Sequence, residues 1–120
     1  MNEHSGWIGC DLDGTLAKYP NPYGHNLIGR PVPLMLQRVQ RWLAEGRQVK
    51  IVTARVASSL PMEEVVRARK MITSWLELNL GQALPIVSEK DYSMVELWDD
   101  RAVQVITNTG ERADGAKEGA

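Results

Sequence analysis

Short apolar runs that stop at polar residues alternate along this chain with longer stretches of helical spacing. Trp7-Ile8-Gly9-Cys10 halts at Asp11 and reads as a buried strand. Val49-Lys50-Ile51-Val52 halts at Thr53, Leu84 to Val87 forms a short third run, and Met94 to Trp98 halts at Asp99-Asp100. Ala102 to Ile106 is a candidate fifth strand. Between the first two runs, Val32, Met35, Leu36, Val39, Trp42 and Leu43 recur at helical spacing, and Gly46 supplies a stop. A second helix is expected to start near Ser58, Ser59 and Pro61, to bury Val65, Val66, Ile72, Trp75, Leu76 and Leu80, and to end at Gly81. From Gly14 to Pro33 the chain is broken by Pro20, Pro22, Gly24, Gly29, Pro31 and Pro33, which predicts a long loop, with a flap over residues 16–30.

Strands alternating with helices predict a single α/β domain over residues 1–110. The expected architecture is a three-layer, Rossmann-like arrangement: a mostly parallel sheet of about five strands with helices on both faces. The small, charged and glycine-containing stretch 111–120 reads as a disordered tail.

Composition narrows the function classes. A chain of 120 residues with 43% hydrophobic residues can build one ordinary core. Its 14 basic and 15 acidic residues give a net charge of −1, without the basic excess of a nucleic-acid or membrane-surface binder. The lone Cys10 cannot form an internal disulfide, the start Met1 to Gly6 lacks an apolar leader, and no apolar run reaches the ~20 residues of a membrane span. A cytoplasmic location is the expectation.

The chemistry lies where the strands stop. In a parallel sheet, ligands bind beyond the carboxyl ends of the strands. Asp11, Asp13, Thr53 and Asp99-Asp100 would all reach that edge, and Lys90 follows the third run. Carboxylates gathered there repel one another and stay ionised together around a cation. A hard oxygen donor set with no neighbouring His or Cys ligands points to Mg²⁺. A metal, an ammonium and a hydroxyl around one carboxylate suit a phosphoryl group.

The segment Asp11-Leu12-Asp13-Gly14-Thr15-Leu16 after an apolar strand resembles the first motif of the haloacid dehalogenase-like superfamily. Thr53, Lys90 and Asp99-Asp100 follow in the order of its second, third and fourth motifs, and the likeness spans residues 7–108. The resemblance implies a capless Mg²⁺-dependent phosphatase. Asp11 would be the nucleophile, Asp13 the general acid and base, Thr53 a donor to a phosphoryl oxygen, and Lys90 the balancing charge. Mg²⁺ would be held by Asp11, the Asp13 carbonyl, Asp99 and Asp100, with the direct ligand of the last two left open. Leu12, Ala54 and Arg55 would join Thr53 and Lys90 in binding substrate. The intervals 14–52 and 54–89 are filled by the predicted elements, which leaves no room for an inserted cap.

Each residue also has a plainer reading. Asp13-Gly14 can be a turn, Thr53 a helix cap, Lys90 a solvated lysine, and Asp99-Asp100 an acidic turn paired with Arg101. Arg55 is as readily a surface ion-pair partner as a phosphate ligand. His4 and His25 read as solvent-exposed, with His25 on the flap near a substrate. Cys10 and the four tryptophans read as packing residues. The expected substrate is a phosphorylated small molecule. A phosphate on a nucleic-acid end or a protein is an alternative that the open crevice permits, as is a homo-oligomer whose neighbouring subunit acts as the lid. A non-catalytic or regulatory binding module on the same fold is the second class. A receiver-type domain is disfavoured, because here the second acidic pair follows the lysine.

Overall fold

The computed structural model describes residues 5–24 and 26–116; His4 and His25 fall outside them. Four strands form one all-parallel sheet in the order β3-β2-β1-β4. They are β1 (Trp7–Asp11), β2 (Gln48–Val52), β3 (Ile86–Val87) and β4 (Met94–Trp98). Helix α1 (Pro33–Ala44) joins β1 to β2, and α2 (Met62–Leu80) joins β2 to β3.

The helices begin and end for local reasons. Pro33 stands in the first turn of α1, where its missing N–H leaves no bond unmade. Glu63 and Glu64 occupy the first turn of α2 and favour the positive end of its dipole. Gly81 closes α2 in the left-handed conformation, its N–H bonding back to Leu76 and Glu77.

Cross-strand partners place Ile8 beside Val49, and Cys10 beside Ile51 and then Ile86, all on one face. These residues share a single buried cluster with Met35, Val39 and Trp42 of α1 and with Ile72 and Leu76 of α2. Both helices therefore cover the same face, giving two layers where three were expected. The cause is directional. The connections β1-α1-β2 and β2-α2-β3 step the same way across the sheet, and right-handed crossovers in one direction deposit their helices on one side.

The return from β3 to β4 crosses to the far edge of the sheet through residues 88–93, which hold no helix. It runs over the opposite face. There the Trp7 indole donates to Asp91 (2.9 Å), the Trp7 backbone N–H donates to the Ser93 carbonyl (2.9 Å), and the Lys50 ammonium sits 4.6 Å from the Trp7 ring.

The expected fifth strand is absent from the sheet. Val103, Val105 and Ile106 are about half exposed, and Val105 makes only an isolated antiparallel bridge to Arg112. The carbonyls of Gln104 and Glu111 accept from Ala113 and Ile106, so part of the small-residue stretch after Gly110 has backbone partners. Among the described residues, no helix is long and apolar enough to cross a membrane.

Candidate functional site

The strand ends behave as a parallel sheet requires. β1, β2 and β4 deliver Asp11, Thr53 and Asp99-Asp100 to one edge, where an open crevice of about 710 Å³ is lined by these residues together with Asp13, Arg55 and Arg101. One carboxylate oxygen from each of Asp11, Asp99 and Asp100 lies within 4.8 Å of the others. This is a hard-oxygen set of the kind that accepts Mg²⁺, so the residues fit the expected ion.

Thr15 ties the two halves of the triad together. Its hydroxyl lies 3.4 Å from Asp11 Oδ2 and 3.3 Å from Asp100 Oδ1, and it accepts the Asp100 backbone N–H at 3.1 Å. Its one proton can serve only one carboxylate at a time. Asp99 is oriented separately, its Oδ1 accepting the Arg101 N–H at 2.7 Å. Gly14 makes the close approach sterically feasible. It holds φ +91°, and a Cβ there would stand 2.6 Å from Asp100 Oδ2.

Partial burial, and after it the Asp99 charge, push the Asp11 carboxyl up to about 7; the hydrogen bond with Asp100 adds to the rise, and the Leu12 backbone N–H opposes it. A carboxyl raised mainly by burial and by its acidic neighbours is one whose ionisation a bound cation would favour. Burial, reinforced by Asp11, pushes the adjacent Cys10 thiol to about 12, so it is an inert packing group.

Asp13 stands apart from the triad. Arg55 grips it bidentately, Nε to Oδ2 at 2.7 Å and Nη2 to Oδ1 at 2.8 Å. Thr53 is buried, and its hydroxyl oxygen accepts the Arg55 backbone N–H at 3.2 Å. That bond starts the short 3₁₀ turn Ala54–Val56 and leaves the hydroxyl proton free to donate.

The other expected residues separate. Ala54 lines the crevice. The Leu12 side chain is wholly buried in the core, so substrate cannot touch it; only its backbone N–H reaches the site, toward Asp11. Lys90 is exposed on the crossover and does not line the crevice. Sequence reasoning assigned no role to Thr15, although it lies one turn beyond Asp11 within the same motif. It also missed Tyr19 and the serines Ser58, Ser59 and Ser88, which line the outer crevice. Ordinary polar residues in loops carry no spacing signal that would single them out.

No protein-family model, curated protein or solved structure matches the chain.

Proposed function

We propose that the chain is a Mg²⁺-dependent phosphomonoester hydrolase of the haloacid dehalogenase-like type, acting through an aspartyl-phosphate on Asp11. The observation that carries this reading is the convergence of Asp11 with Asp99 and Asp100 within 4.8 Å, at a crevice that also holds Asp13 and the Thr53 hydroxyl.

Asp11 attacks phosphorus through one carboxylate oxygen. The ester P–O bond breaks, and the leaving oxygen takes a proton from Asp13. Water then attacks the phosphorus of the aspartyl-phosphate and gives a proton to Asp13, and the P–O bond to Asp11 breaks to release phosphate. Asp11, Asp99 and Asp100 would hold Mg²⁺, which supplies charge neutralisation for the phosphoryl oxygens. Thr53 donates to a phosphoryl oxygen, and Arg101 brings positive charge to the crevice, while the charge of Arg55 is paired with Asp13. The reading does not require Lys90. With no inserted cap among the described residues, the crevice admits small phosphorylated metabolites most readily and leaves larger substrates room.

A non-catalytic binding module is the second reading. Two observations favour it: Lys90 does not line the crevice, although its neighbours Ser88 and Glu89 do, and both Asp13 oxygens are already engaged by Arg55.

Phosphate release from p-nitrophenyl phosphate and a panel of phosphorylated metabolites separates the two. The hydrolase reading expects Mg²⁺-dependent turnover that EDTA removes and that Asp11→Asn lowers by about three orders of magnitude or more, the scale of losing a nucleophile. Mg²⁺ binding without turnover across the panel would leave the binding module standing.

A further inference from the structure

The flap is a closed loop with a firm neck. Ala17 bridges to Pro31, the Lys18 N–H donates to the Arg30 carbonyl at 2.9 Å, and the Val32 N–H donates to the Leu16 carbonyl at 2.7 Å. Gly29 packs so tightly on the Lys18 carbonyl that a Cβ has no room. From α2, the Trp75 indole donates to the Gly29 carbonyl at 2.9 Å. Beyond the neck the loop holds itself through short polar contacts, Asn21 with Tyr23 and Leu27, and Tyr23 with Arg30.

The Arg55 side chain joins the body of this loop to the crevice. Arg55 Nη2 donates both to Asp13 Oδ1 and to the Leu27 carbonyl, at 2.8 and 3.0 Å, while its Nε donates to Asp13 Oδ2. The Arg55 backbone is in turn fixed by Thr53. The guanidinium thus spans three segments distant in sequence: the turn after β1, the flap, and the turn after β2. Its fork is pre-organised for two carboxylate oxygens, with N–H donors to spare for a carbonyl. A lysine would offer a single point charge, unable to hold both oxygens of Asp13 and the flap in one rigid plane.

We infer that Arg55 is a positioning residue that locks the flap to Asp13, so that the carboxylate moving the proton and the loop bordering the crevice share one orientation. In its kinetic arm this inference rests on the hydrolase reading; in its structural arm it does not. Arg55 then acts through Asp13 and not by holding substrate, and its loss is felt in the proton-transfer step.

The test uses the full chain with Arg55→Ala, Arg55→Lys and Asp13→Asn, each checked for cooperative thermal unfolding. Exchange of the hydrogen-bonded flap amides of Tyr23 and Leu27 is expected to speed up several-fold in Arg55→Ala and in Asp13→Asn, and to be intermediate in Arg55→Lys. With p-nitrophenyl phosphate and Mg²⁺, Arg55→Ala is expected to lose about 10- to 100-fold in kcat, the scale of a misplaced catalytic group, with KM changed less than about threefold. Added guanidinium ion should restore part of that kcat, a rescue that a merely structural residue would not give. A rise in KM at constant kcat would overturn the inference and make Arg55 a substrate ligand. Unchanged flap exchange in Arg55→Ala would overturn it equally. If the wild-type chain releases no phosphate, the hydrolase reading falls, and the inference stands or falls on flap exchange alone.

Discussion

At Asp11, burial and acidic neighbours act in the same direction, and the sign of the resulting pH dependence follows. The carboxyl moves from an ordinary 3.8 to about 7 in the folded chain, so folding favours its protonated form. The stability that this group contributes to the metal-free protein is complete below about pH 4 and is lost as pH rises through 7. The melting temperature of the EDTA-treated protein should therefore fall between pH 5 and pH 8. Asp11→Asn should flatten that fall and raise stability at pH 8 by on the order of 1 kcal/mol, once solvent screening of a partly exposed group is allowed for. Thermal melts of both proteins across this range check it; an equally steep fall in the variant would remove Asp11 as the cause. Gly14 is the second residue on which the site turns. Gly14→Ala forces a Cβ against the Asp100 carboxylate at a backbone angle that L-residues resist, at a cost of about 1–3 kcal/mol. Calorimetric titration with Mg²⁺ should show weakened binding, and unchanged affinity would mean that Asp100 is dispensable to the ion. The acidic residues at this edge were legible in the chain because each ends an apolar run. The Arg55–Asp13 pair was not, since its members lie 42 positions apart and either one has many plausible partners.

Among the elements, α2 does two jobs: it buries Ile72 and Leu76 against the sheet, and it anchors the flap neck through Trp75. Trp75→Phe keeps most of the apolar packing but orphans the Gly29 carbonyl, which should cost about 1 kcal/mol. Limited proteolysis should then cut the flap faster while the far-UV spectrum stays unchanged; equal cleavage rates would show that the Lys18–Arg30 pairing alone suffices. The main elements were legible in their spacing. Met94–Trp98 ends where its acidic pair begins, and both helices stop at or just before glycines. The run Ala102 to Ile106 misled because alternating apolar residues fit a strand only when a neighbour lies beside it. Here the run meets only the short stretch 111–113, through one isolated bridge of Val105 to Arg112 and the backbone bonds of Gln104 with Ala113 and Ile106 with Glu111, and Val103, Val105 and Ile106 stay about half in water.

For the whole molecule, the number of layers depends on the order of strands across the sheet, which no local pattern encodes. The alternation of elements was correct as α/β and parallel, yet it could not tell that β2 and β3 step in one direction and thereby bring both helices to one side. The length of residues 88–93 did carry the information that no helix fits between β3 and β4. That short link has a mechanical consequence. Because Asp91 and Ser93 are pinned to Trp7 at the start of β1, and one extra residue is taken up near Val95, the height at which β4 ends is measured from the base of the sheet. The spacing of the acidic pair from Asp11 is thus gauged at the opposite end of the sheet, by an indole and a carboxylate that do not line the crevice.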